Sequence, residues 1–371
     1  MHKGEKMGRI RSIGTMLGAA SLVLGTLTVS IAATTVPASA VAQFKACVVT
    51  DTGGINDKSF NYSAYKGLLD AAAQNTSITP SYLSSSSSTD YAPNIQSFIT
   101  QGCGIIVTVG FLMDAATAAA ANANPTQKFA IVDDAPTTTS TNVLSLQYQT
   151  NQGAFLGGYL AAASSKSGVV ATYGGVNITP VTLYMDGFVA GVRYYNKINH
   201  KHVKALGWTP KKGTACGFAS CAGTGTFVGN FTDQTAGKTI TSGDFAAKAD
   251  IVFPVAGSVG LGSIAAAKQA GKGHSVMWVD SNGCVSDAAD CKWIIGTVAK
   301  GVEASVRDAV LSAAGGTFKG GTYVGTLKNQ GTALQYGGIM IPSSLKAKIA
   351  AVAKGIQNGS ISLDPNNYPA K

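Results

Sequence analysis

The sequence predicts an α/β protein of two lobes, each a doubly wound parallel sheet, joined by a hinge. Three observations carry that reading. Short runs of β-branched and apolar residues alternate with Ala-rich stretches of helical length. Each run is apolar throughout rather than at every second position, as in strands buried on both faces. The alternation then starts afresh near residue 150.

In chain order, Ala46–Thr50 reads as a strand, followed by a polar Gly-rich turn and a helix to about Ala73. Ile105–Val109 is the next strand, Asp114–Ala121 a helix, and Phe129–Val132 a strand that runs into Asp133-Asp134. The second half repeats this scheme. A helix at Gly153–Ala163 leads to a strand at Gly168–Thr172 and a helix at Thr182–Tyr195. Strands follow at Phe227–Asn230 and Ile251–Val255, then a helix at Ser263–Ala270 and a strand at Ser275–Val279. The serine run Ser84–Ser88 reads as solvated loop.

The first 40 residues read as an export signal. Lys3, Lys6, Arg9 and Arg11 form a basic head, Ile13 to about Ala33 an apolar stretch, and Pro37-Ala38-Ser39-Ala40 a small-residue cleavage site. The competing reading is a permanent membrane span, but glycines and hydroxyl residues interrupt the stretch. About 330 residues remain, enough for two cores. One lobe is expected at 44–149 plus 281–310 and the other at 150–280 plus 311–371. The chain carries +10, and 12% of its residues are charged. Loss of the signal removes four cations and one anion, which leaves a thinly spread positive charge with no Lys/Arg cluster among aromatics. Nucleic-acid binding is not supported, whereas a basic exported protein suits an anionic envelope.

Six cysteines in an exported chain suggest disulfides. Cys216 and Cys221 are close in sequence, as are Cys284 and Cys291. Cys47 and Cys103 each fall near the start of an apolar run, which makes them the natural third pair. Fifteen connectivities remain open to sequence alone. Zinc is disfavoured because no paired C-x-x-C knuckle and no accompanying His are present.

In open α/β sheets ligands bind beyond the carboxyl ends of the strands. Those ends are Asp51, Gly110, Asp133, Ala256-Gly257 and Asp280, three of them carboxylates. Any one Asp there is ordinary turn chemistry; three meeting at one crevice make a polar site. The richest segment is Asp51-Thr52-Gly53-Gly54-Ile55-Asn56-Asp57-Lys58-Ser59-Phe60-Asn61, where glycines admit a ligand and Asn56 or Asp57 can cap the next helix. It matches neither G-x-G-x-x-G nor the P-loop, so a dinucleotide or triphosphate site is not supported.

That segment resembles the opening signature of the basic membrane protein family, the substrate-binding components of ABC transporters that include purine nucleoside receptors. The resemblance continues through Val109-Gly110-Phe111, Lys128–Asp133, Phe155–Ala162, Gly187–Val192, Val255-Ala256-Gly257 with Gly260, Val279-Asp280 and Thr297–Lys300. It implies the type I periplasmic-binding-protein fold and a nucleoside site. By that likeness Phe60 stacks on the base with Asn61 and Asp51 beside it. Asp133 reads the base edge, Asp280 accepts from the ribose hydroxyls and Lys300 helps hold the sugar. Phe253 covers the second face of the base, and Gly257 and Gly260 let backbone amides approach. The chain departs from the family in having no cysteine straight after the signal, in Asn151-Gln152-Gly153, and in Ser281-Asn282-Gly283 after Asp280.

The function expected is capture of a nucleoside, purine favoured, by a monomeric exported protein that closes around it without catalysis or cofactor. Delivery is to an ABC transporter permease, and the membrane is met only through that partner. A same-fold binder of a sugar or signal molecule is one alternative. A secreted nucleoside hydrolase is another, disfavoured because no G-x-S-x-G elbow occurs and His200 and His202 lie in a Lys-rich stretch.

Overall fold

A computed structural model describes residues 43–138, 141–213 and 216–368. The expected export signal at 1–40 lies outside them. Residues from Ala42 onward form one compact unit.

The first lobe takes β1 (Phe44–Thr50), α1 (Phe60–Gln74), β2 (Ile78–Ser84), α2 (Tyr91–Thr100), β3 (Ile105–Val109), α3 (Asp114–Ala123), β4 (Lys128–Val132) and β5 (Val143–Tyr148). The second opens with α4 (Thr150–Ser164), β6 (Val169–Gly174), α5 (Thr179–Asn199), β7 (Lys204–Leu206) and a small hairpin of β8 (Trp208–Pro210) and β9 (Gly223–Gly225). It continues through α6 (Gln234–Ala246), β10 (Ile251–Val255), α7 (Gly260–Ala270), β11 (Ser275–Asp280), α8 (Gly283–Ser286) and β12 (Ile294–Lys300). The chain then returns to the first lobe for α9 (Val302–Ala314) and β13 (Gly321–Gly325), and ends in the second with β14 (Thr332–Tyr336) and α10 (Ser343–Gln357).

The first sheet runs β13-β5-β4-β3-β1-β2 and is parallel throughout. The second runs β14-β12-β11-β10-β6-β7, and only β14 is antiparallel. Each sheet has its own apolar clusters, with Leu68, Val107 and Val306 in one and Phe155, Phe188 and Phe253 in the other. The all-apolar strand runs follow from this, because β1, β3, β10 and β11 have neighbours on both edges and helices on both faces.

Two expectations need correction. Residues 281–300 belong to the second lobe, because β12 pairs with β11 and β14; and 311–314 and 321–325 belong to the first, because α9 packs on α1 and β13 pairs with β5. A buried strand carries no mark of the sheet it joins. The strand expected at Phe227–Asn230 is a single bridge from Phe227 to Gly174. Gly229 turns the chain in a left-handed conformation, and Asn230 Oδ1 accepts from the Thr232 and Asp233 N–H groups.

Twelve of the fifteen residues of α4 are buried. Helix α5 lies so close that a Cβ on Gly158 would collide with the Phe188 carbonyl oxygen, and one on Gly191 with that of Phe155. These glycines are packing devices. The cysteines pair as Cys47–Cys103, Cys216–Cys221 and Cys284–Cys291, the first joining β1 to the entry of β3 inside a core.

Candidate ligand site

The chain crosses between lobes at 148–150, 300–302 and 325–332. Beside the first two crossings, the carboxyl ends of both sheets frame one hollow. It encloses about 520 Å³ of space free of protein atoms, its open mouth included. The first lobe contributes Asp51, Asp57, Phe60, Asn61, Phe111 and Asp133; the second contributes Tyr184, Phe231, Gly257, Asp280 and Lys300.

The first wall is built by the turn that follows β1. Asp57 accepts backbone N–H bonds from Ser59, Asn61 and Tyr62 at 2.9, 2.9 and 3.0 Å, so its side chain caps α1 and fixes where Phe60 and Asn61 emerge. Asn61 donates to Asp51 Oδ1 at 2.8 Å, and the Gly53 N–H donates to the same oxygen at 3.2 Å. Asn61 Oδ1 remains buried without a partner, an acceptor on the wall of the hollow. Gly110 is required here: its φ is +116°, and a Cβ would stand 2.6 Å from Asp51 Oδ2.

Asp133 directly follows β4 and Asp280 ends β11, and both adopt the left-handed region, with φ of 70° and 63°. Residues other than Gly, Asn and Asp rarely sit there. The twist turns both carboxylates to a common cation. Lys300 Nζ lies 2.5 Å from Asp133 and 3.5 Å from Asp280, with the Phe60 ring centre at 4.7 Å and that of Tyr184 at 5.0 Å. Tyr184 Oη donates to Asp280 Oδ1 at 3.0 Å, and Ser59 Oγ donates to Oδ2 at 2.9 Å, so Asp280 is held from both lobes.

Burial sets the electrostatics. It pushes the Asp51 carboxyl up to about 6 and that of Asp57 up to about 7, against the N–H bonds each accepts. Burial also raises Asp133, and the Lys300 ammonium offsets this only in part. For Lys300 burial acts downward, but Asp133 and Asp280 outweigh it and hold the ammonium above its usual range. Carboxylates and aromatic rings around one paired ammonium suit a small polar molecule with a flat apolar face and several donors.

Of the residues singled out in the sequence, Asp51, Phe60, Asn61, Asp133, Gly257, Asp280 and Lys300 meet on this hollow. Phe253 does not. It lies mid-strand in β10, fully buried, with its ring 5.2 Å from Phe188 and 6.0 Å from Tyr184. Gly260 is also absent from the lining; a Cβ there would press on the Trp278 ring at 3.0 Å, so it serves helix–strand packing. Beside Tyr184, the second lobe's ring on the hollow is instead Phe231, in the loop before α6, which no pattern in the sequence marks. Tyr184 was missed because it lies inside a helix, and Ser59 because a short hydroxyl has no pattern. Phe111 stood at the end of β3 and was open to the strand-end argument.

A two-lobed α/β chain with an acceptor-rich hollow at facing strand ends has the architecture of solute-binding proteins. The family model for Bmp, the PnrA-like ABC transporter substrate-binding proteins, matches residues 44–220 and 225–336. The chain belongs to this family, and it is a binding component of an ABC transporter rather than an enzyme. It is 30% identical over 337 residues to the ABC transporter nucleoside-binding protein BmpA of Lactococcus lactis, covering 86% of this chain and 88% of that one. It is 29% identical to basic membrane protein A of Borreliella burgdorferi over 232 residues, 62% of this chain and 61% of the relative. Among solved structures, an ABC transporter solute-binding protein from Aeropyrum pernix superimposes with a TM-score of 0.74 at 22% identity, covering 86% and 92% of the two chains.

Proposed function

We propose that this chain captures a nucleoside, with purines favoured, between its lobes and hands it to the permease of an ABC-type importer. The observation that carries the reading is the convergence of Asp133, Asp280 and Lys300 under the Phe60 ring, one carboxylate from each lobe. A base lies between Phe60 of the first lobe and Phe231 of the second, gaining about 1–3 kcal/mol from stacking. Asp133 accepts from the base edge. Asp280, steadied by Tyr184 and Ser59, accepts from ribose hydroxyls in charge-assisted bonds. Because both lobes contribute contacts, binding favours the closed form, and the closed form is what the permease reads. The name of the Lactococcus relative supports the same ligand class.

The protein acts outside the cytoplasm as a monomer, exported by its N-terminal segment. Calorimetric titration with adenosine, guanosine, inosine, uridine and several free sugars tests the assignment. Micromolar or tighter binding of at least one nucleoside is expected. Tight binding of a sugar with every nucleoside inert would remove the ligand class and leave the family intact.

A further inference from the structure

A second groove lies at the opposite end of the second sheet's strands, where β10, β11 and β12 begin. Its floor is apolar, formed by Ile251, Ile295, Ile341 and Leu345. It spans about 1510 Å³ including its mouth, and the Met340 side chain stands at its lip with 92% of its surface exposed. A side chain of that kind left in water marks a contact surface rather than a core. Trp293 also lines the groove, half-buried, with an indole N–H that has no partner.

The exposed charges around this floor are of one sign. Lys166, Lys272 and Lys292 line it, all exposed, and none makes an ion pair among the described residues. The single carboxylate on the lining, Asp250, accepts the backbone N–H groups of Lys166 and Ser167 at 2.6 and 2.9 Å. Three ammonium groups without a carboxylate partner among the described residues, that of Lys292 lying 5.8 Å from the centre of the Trp293 ring, together with a projecting Met around an apolar trough, make a surface complementary to anionic headgroups above acyl chains. We propose that this groove docks the protein on an anionic lipid surface. The six residues of β11 separate it from Asp280, roughly 17 Å at 3.3 Å per residue, so docking leaves the ligand hollow open.

The test is vesicle flotation of residues 42–371, a compact unit by itself, so that the apolar N-terminal stretch cannot insert. Vesicles of phosphatidylcholine with three parts in ten phosphatidylglycerol are compared with pure phosphatidylcholine at low salt. The expected result is at least tenfold stronger association with the anionic vesicles. Association should fall at least tenfold in Lys166→Gln/Lys272→Gln/Lys292→Gln and severalfold in Met340→Glu, with thermal midpoints unchanged to establish folding. Equal association with both vesicles would overturn the proposal, as would anionic binding that survives in the triple variant. Loss in the triple variant with full retention in Met340→Glu would also overturn it, because diffuse charge attraction would then suffice.

Discussion

Asp280 contacts both lobes and the one buried cation of the hollow, so its removal strikes binding and closure together. Asp280→Ala should weaken nucleoside binding at least 100-fold by calorimetry, since charge-assisted bonds contribute about 1.5–3 kcal/mol each. Phe60→Ala should weaken it roughly 5- to 150-fold, the range set by stacking. Asp57 predicts a pH effect. Its carboxyl titrates near 7 in the fold against 3.8 ordinarily, so the folded chain holds a proton that the unfolded chain gives up. The stability this confers is present at low pH and disappears as pH rises through the folded value. Between pH 5 and 8 the native protein should lose about 2–3 kcal/mol relative to Asp57→Asn, followed by denaturant unfolding at each pH. At this scale the sequence disclosed much of the site, because Asp51, Asp133 and Asp280 stand where apolar runs stop. It misplaced the second ring. Phe253 lies two residues before the end of β10, too deep to reach the opening, whereas Phe231 stands in a loop whose path only tertiary packing fixes.

Among elements, the legible ones were strands bounded by turns. β3 and β10 run as the sequence reading had them, and β4 and β11 begin or end within a residue of it. The late strands were illegible for a physical reason. β13 and β14 are edge strands, the first carrying glycine at both ends and the second polar at Thr332 and Gln335, with burial too partial to leave a continuous apolar run. The disulfides yield an ordering. Cys47–Cys103 closes a loop with a sequence separation of 56, against 5 for Cys216–Cys221 and 7 for Cys284–Cys291. Chain entropy gives about 4 kcal/mol for the first and about 2 kcal/mol for each of the others. Paired Cys→Ala variants should therefore unfold in that order in a thermal melt, and an equal or reversed order would contradict the account.

In the whole molecule, ligand site and hinge share residues. Lys300 is the last residue of β12 and the chain passes to the first lobe directly after it, while its ammonium pairs with a carboxylate from each lobe. Lys300→Met should reduce the ligand-induced drop in radius of gyration measured by X-ray scattering, beyond any loss of affinity corrected by saturating ligand. A second tie lies alongside. The Lys58 carbonyl, in the first lobe, accepts from Trp278 Nε1 at 3.2 Å and from the Ser281 and Ser286 hydroxyls at 2.6 and 2.7 Å.

That indole gives the protein an optical reporter of its own. When the halves part, Trp278 exchanges a fixed carbonyl for mobile water, and its emission should move to longer wavelength. With Trp208 and Trp293 replaced by Phe, a single chromophore would record each opening and shutting in real time, with no dye attached.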